Sequence, residues 1–260
     1  MRGIRHWIWI AALGTSAWAL TPAASSSAPA AFGPGEQSTY RVQYLGVTAG
    51  TAQITVGSEV SQWGAQVTPI VTVAKTVPLL AAYPVNDKFI TYWEPASGRT
   101  VGHDLYADEN RKRRRQRVKI DHAGGSAQVT KQKEGEAPAE STRAVEPGAM
   151  DIAAATFALR NAPLAVGQTL SLPVFTGDKS FRMQVMAEGE ERLETPLGTR
   201  DVVRLRVSTQ FEGEFRSKRD LRIYLSKDPS HVPLRVEADF FLGTVVAELV
   251  DYKPGRIARP

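Results

Sequence analysis

The densest run of one chemistry in the 260-residue chain is Arg111-Lys112-Arg113-Arg114-Arg115-Gln116-Arg117-Val118-Lys119-Ile120. Val118, Ile120 and the following Gly124-Gly125 turn read it as a strand, whose side chains alternate between two faces. Arg113, Arg115, Arg117 and Lys119 then share one face at intervals of about 6.5–7 Å. Arg114, Gln116, Val118 and Ile120 share the other. Such a row suits an anionic lipid surface, a polyanion or an acidic partner. The plainer alternative is a solvated face answered by Asp104, Asp108 and Glu109, or a sheet edge that charge keeps apart from other chains. Nucleic acid is not an expected partner, because no aromatic residues interleave the cations.

A second candidate is apolar. Val77-Pro78-Leu79-Leu80-Ala81-Ala82-Tyr83-Pro84 is bracketed by prolines, too short to span a membrane and poorly suited to a central strand. Val77, Leu79, Leu80 and Tyr83 could form the lip of a hydrophobic cavity, or a loop that plugs the core. The pairs Tyr92-Trp93 and Phe240-Phe241 each place one ring on either side of a strand, so they line a pocket or fill the core. These eight residues are the ligand-binding candidates.

Catalytic patterns are missing. His103, His122 and His231 stand in no metal-ligand spacing, and the adjacent His103 and Asp104 point to opposite faces of a strand. No nucleophile elbow, P-loop or dinucleotide fingerprint is present. Glu212 and Glu214 share a strand face, and two acids suffice for a glycosidase. The stretch around Gly213 reads more simply as a solvated hairpin. No catalytic residue, cofactor or metal is expected.

The elements that must position these groups are mostly strands. A composition of 42% hydrophobic and 23% charged residues, with 21 Gly, 16 Pro and no Cys, describes a folded chain without disulfides or thiolate sites. Arg2 and Arg5 precede the apolar run Trp7 to Leu13 and the triplet Ala17-Trp18-Ala19, so residues 1–19 read as a secretory signal peptide. Residues 20–31 read as a flexible Ala/Ser/Pro-rich leader, and without Arg2 and Arg5 the formal charge falls from +5 to +3. Export to the periplasm is expected, and it places the cations away from nucleic acid.

Beyond the leader, Tyr40, Val42 and Tyr44 alternate with Thr39, Arg41 and Gln43, and Ala52, Ile54 and Val56 resume the pattern after a break, as in a hairpin. About a dozen strands follow at intervals of roughly 10–15 residues. Pro69 must lie at an edge or bulge of its strand. Residues 131–148 read as a mobile loop. One helix, 151–160, has Asp151 as its cap, an apolar stripe of Ile152, Ala155, Thr156 and Leu159, and Arg160 at its C-terminal dipole. The fold class is all-β and mainly antiparallel. A large curved sheet or incompletely closed β-barrel packs one short helix, in a single domain over 32–252 with a tail at 253–260.

Phe32-Gly33-Pro34-Gly35-Glu36, then Tyr40 to Tyr44 and Ala49-Gly50-Thr51-Ala52, resembles the opening of the bacterial exported family called domain of unknown function 3108. Asp151 to Leu164 resembles its central landmark, and Leu225 to Asp228 with Gly243 to Leu249 its end. The resemblance implies export and a β-rich fold and supplies no catalytic residue. The strand–helix–strand order is also similar to that of periplasmic lipoprotein carriers, by analogy only.

The expected function is a monomeric exported carrier or binding protein. Its ligand would be lipid or another hydrophobic envelope component, held between sheet and helix, with the cationic strand facing an anionic envelope surface. The alternatives are an envelope scaffold that binds proteins and, less favoured, a carboxylate-dependent glycan hydrolase.

Overall fold

The computed structural model describes residues 31–77, 84–211, 221–240 and 243–256. The signal segment 1–19, Leu79, Leu80, Tyr83, Glu212, Glu214 and Phe241 lie outside the described residues, and of Phe240 only the backbone is described.

Strands β1 (Gln37–Tyr44), β2 (Val47–Val56), β3 (Val60–Gln62), β4 (Ala65–Thr76), β5 (Asn86–Glu94), β6 (Arg99–Glu109), β7 (Lys112–Asp121), β8 (Ser126–Lys133) and β9 (Ala139–Ala144) precede α1 (Ile152–Arg160). Strands β10 (Thr169–Phe175), β11 (Ser180–Thr195), β12 (Gly198–Phe211), β13 (Leu221–Ser226), β14 (Pro233–Phe240) and β15 (Gly243–Lys253) follow it. All belong to one antiparallel sheet in the order β10-β11-β12-β13-β14-β15-β1-β2-β4-β5-β6-β7-β8-β9, with β3 off this path against β4. The last strand therefore returns to pair with the first, Tyr40 opposite Leu249 and Val42 opposite Ala247.

The expected incompletely closed barrel is the one that forms: β9 and β10 are its unpaired ends. The curl nonetheless brings them close. Met150 makes a parallel bridge to Val174, and the Gln116 amide donates to the Thr176 carbonyl at 2.7 Å across the seam.

Alternation turns Val56, Ile70, Trp93, Val203, Leu205, Ile223 and Leu225 toward the concave side, where α1 lies on them. Its Ala154, Ala155 and Leu159 have no solvent exposure. Asp151 caps the helix as expected, its carboxylate accepting from the Ala154 N–H at 2.8 Å. The apolar stripe is rotated from the expected one. Ile152 is 54% exposed, while Ala154 and Phe157 turn inward beside Ala155 and Leu159. The buried carboxylate of Asp151 fixes the entry of the helix and so decides which face looks down.

Helix α1, the β5–β6 and β13–β14 connections and residues 31–36 occupy one end of the barrel, called here the helix end. The β1–β2, β6–β7 and β8–β9 turns, and the ends of the strands joined through 78–83, 212–220 and 241–242, occupy the other, the rim. Backbone hydrogen bonds stitch the rim, among them Val77 N–H to Ala49, Asn110 N–H to Pro84 and Leu45 N–H to Thr244.

Three readings need correction. The stretch 131–148 contains a strand, β9, paired with β8 from Ala139 opposite Lys131 to Ala144 opposite Ser126. As an end strand it is exposed on both faces and so lacks the alternation that marks half-buried strands. Ala31, assigned to the leader, is buried: its N–H donates to the Asn161 side chain at 2.8 Å and its carbonyl accepts from Arg160 at 3.0 Å. The tail is joined to the domain by the Arg256 N–H, which donates to the Pro34 carbonyl. Pro69 sits within β4 where pairing passes from β2, ending at Ile70, to β3, ending at Val67, so its missing N–H interrupts no ladder.

Candidate functional site

The concave face changes character along the barrel. Near the helix end its apolar side chains are closed off, with Tyr40, Leu225, Leu234 and Leu249 buried. One step toward the rim the same face becomes half-open. Val236, Ala247 and Val42 lie side by side in register across β14, β15 and β1, and Ala238, Val245 and Tyr44 form the next row. All six are partly exposed. They form an apolar wall that no helix covers among the described residues, ending at the rim beside Leu45 (64% exposed) and Val47 (56% exposed). The alternation of β1 is plain in the sequence. Its union with β14 and β15, almost 200 residues away, is not, so these residues were not foreseen as a site.

The space under α1 is different. Phe32, Trp93, Phe157, Val174, Leu205 and Ile223 belong to one packed cluster there. Phe32 meets Phe157 and Trp93 edge to face at 4.6 and 5.7 Å. The expected hollow between helix and sheet is therefore filled by side chains among the described residues, and Trp93 is part of the filling. Tyr92 lies on the outer face, under Trp63 at 5.1 Å, with its hydroxyl donating to Asp104 at 2.9 Å. Burial and that carboxylate push the Tyr92 phenol well up from its ordinary value. Trp63 can lie there because Gly102 has φ 148° and no side chain: a Cβ would stand 2.0 Å from the Val118 carbonyl oxygen and 2.7 Å from the indole. Val77 is half-buried at the rim. Leu79, Leu80, Tyr83 and Phe241, and the side chain of Phe240, lie outside the description.

The cationic strand is β7, and Arg113, Arg115, Arg117 and Lys119 are all exposed. They are not equivalent. Arg117 holds Asp104 through two hydrogen bonds, 2.9 and 3.3 Å, which raise its pKa further. Arg113 meets Asp108 at 3.2 Å and Glu134 at 3.7 Å, and Arg114 meets Glu109 at 3.2 Å. Arg115 lies over the Tyr106 ring at 5.8 Å. The solvated-face reading thus holds for Arg113 and Arg117, whereas Arg115 and Lys119 have no carboxylate within 4.0 Å among the described residues.

A third cluster is buried and polar. His103 and Asp104 do point to opposite faces of β6. Asp104 turns out to Arg117, and the fully buried His103 turns in, its Nδ1 4.0 Å from the Asp151 carboxylate. Thr91 and Thr100 donate to Asp151 at 2.8 and 3.3 Å. The Gln116 amide nitrogen, 3.3 Å from His103 Nε2, donates there and leaves the proton on Nδ1, facing Asp151. Burial raises the Asp151 pKa, partly offset by His103 and the donated hydrogen bonds, and burial lowers that of His103. The hydroxyls serve the carboxylate and not the imidazole, so the arrangement anchors the helix start to β5 and β6.

A family model for a protein of unknown function (DUF3108) matches residues 39–250. No curated protein matches the chain. Among solved structures, the β-barrel-like protein of domain of unknown function DUF1849 from Brucella abortus superposes with a TM-score of 0.58 at 11% identity, over 88% of this chain and 100% of that one. That likeness is one of fold. A Bacteroides fragilis protein with a YmcC-like fold covers 85% of this chain and 98% of its own at 11% identity, but a TM-score of 0.32 is too low to carry an argument.

Proposed function

Since the chain belongs to the DUF3108 family of proteins of unknown function, we propose that it is an exported, non-catalytic carrier of an elongated apolar ligand such as a lipid acyl chain. One observation carries this reading: the two in-register rows Val236-Ala247-Val42 and Ala238-Val245-Tyr44 are apolar, concave and incompletely buried. The ligand seat lies between these rows and the rim, not beneath the helix. A chain of about six methylenes with one side laid on such a wall gains about 2–3 kcal/mol, roughly half of the 0.8 kcal/mol per fully buried CH₂. Export is the part of the proposal that rests on the N-terminal sequence pattern.

The test is binding of a dansyl-labelled fatty acid, displaced by unlabelled fatty acid or phospholipid, with mass spectrometry of lipid retained on the natively purified protein. Val245→Asp, which sets a charge in the middle of the wall, is expected to lower affinity at least about tenfold, since burying an unpaired charge is costly. Its circular dichroism should stay unchanged. A natively folded protein that retains no lipid and binds no displaceable probe rejects the carrier. The packed helix end favours a second reading, an envelope scaffold, and co-purification of envelope proteins without lipid would support it.

A further inference from the structure

The cations of this sheet are distributed unevenly with respect to their partners. On β1 and β12–β14, outward arginines are answered by carboxylates: Arg41 and Arg235 by Glu248, Arg204 and Arg206 by Glu188, Arg222 by Asp239. The β6–β7 tip is built otherwise. Asn110 and Arg111 turn the chain with φ of 50° and 63°, and five cations run from Arg111 to Arg115. Of these, Arg111, Lys112 and Arg115 have no carboxylate within 4.0 Å among the described residues. Two adjoining grooves, about 530 and 280 Å³, run between this tip and the β8–β9 tip. Arg113, Arg114 and Lys133 line both, with Glu134 as the acid common to them.

This tip stands at the rim, the same end at which the apolar wall opens and Leu45 and Val47 are exposed. Its placement follows from strand direction: β1 and β6 both run toward the rim, and the Asn110 N–H is bonded to Pro84 where β4 and β5 meet it.

We propose that the β6–β7 tip, through Arg111, Lys112 and Arg115 and the grooves beside them, binds phosphate headgroups of an anionic membrane and sets the rim against it. This rests on the carrier reading in what it explains, the transfer of an apolar chain between bilayer and wall, but it has its own evidence and its own test. Charge complementarity selects the occupant. A solvated face needs no surplus of unpaired cations, and a bilayer supplies both the phosphates for the tip and the apolar interior for Leu45 and Val47.

The experiment is co-sedimentation of the folded protein with phosphatidylglycerol-containing vesicles and with pure phosphatidylcholine vesicles as ionic strength rises. Binding is expected to the anionic vesicles alone, and to fall with salt as surface electrostatics do. The triple variant R111E/K112E/R115E should lose roughly fivefold or more per altered residue. R200E, at the β11–β12 turn of the helix end, should bind as the parent does. An equal loss per altered residue in R200E would mean that net charge alone is at work, and would overturn the proposal. So would absence of vesicle binding, or inorganic phosphate abolishing it at concentrations where chloride of equal ionic strength does not, which would point to a soluble phosphate instead. Dansyl fatty-acid binding by the triple variant separates the two readings. If it is kept while vesicle binding is lost, the tip is the docking site. If the parent docks but never binds the fatty acid, the carrier fails and the docking stands.

Discussion

At the scale of single residues, the most informative group is His103. Desolvation holds its imidazole below the ordinary value of 6.5, so at mildly acidic pH the unfolded chain takes up a proton that the folded chain refuses. Stability rises with pH wherever the unfolded state binds more protons, so His103 contributes stability above about 6.5 that is lost as pH falls toward its folded pKa. Asp151 acts with the opposite sign. Its raised pKa means the folded state holds its proton longer, which favours folding as pH falls toward the ordinary value of 3.8. The expected outcome is that His103→Leu, compared with the parent by urea unfolding at pH 7 and pH 5, narrows the gap in stability at the lower pH. A gap independent of pH would show that the imidazole titrates normally. None of this was legible beforehand: the sequence shows His103 on a strand and Asp151 at a cap, and nothing in their types brings them together across 48 positions.

At the scale of elements, strands were legible where one face is buried. The alternation of Tyr40, Val42 and Tyr44 and of Ala52, Ile54 and Val56 reappears as the β1–β2 pair, Tyr40 opposite Ala52. β9 escaped because Ala139-Glu140-Ser141-Thr142-Arg143-Ala144 buries neither face, which also makes it a charged and unattractive edge. The helix was legible as a helix, from its cap and length, but its role was not, since small side chains at Ala154 and Ala155 suit both a lid over a cavity and close packing on a sheet. Ala155→Leu separates these at the level of the element. With Ala155 fully buried in the cluster, the extra volume has nowhere to go and should cost about 1–3 kcal/mol in urea unfolding. A neutral or stabilising effect would mean that room exists beneath α1 and would return the ligand seat there.

At the scale of the molecule, one buried ion pair ties together parts of the chain that the sheet leaves separate. Arg160, at the end of α1, donates to both Glu36 carboxylate oxygens at 2.6 and 3.1 Å, to the Ala31 carbonyl and to the Ser230 carbonyl. Its guanidinium also lies 5.4 Å from the Phe32 ring and 5.1 Å from that of Phe157. Both charges are almost wholly buried, 2% and 3% exposed. Removing one leaves the other uncompensated, so Arg160→Met is expected to destabilise the whole domain by about 3–5 kcal/mol. Adding Glu36→Gln should recover much of that in a urea titration, and a surface-sized loss of under about 1 kcal/mol would reduce the pair to an ordinary exposed one. Because this knot closes the helix end around Ala31, Glu36 and Ser230, any widening of the barrel has to begin at the opposite pole, where the basic tip stands.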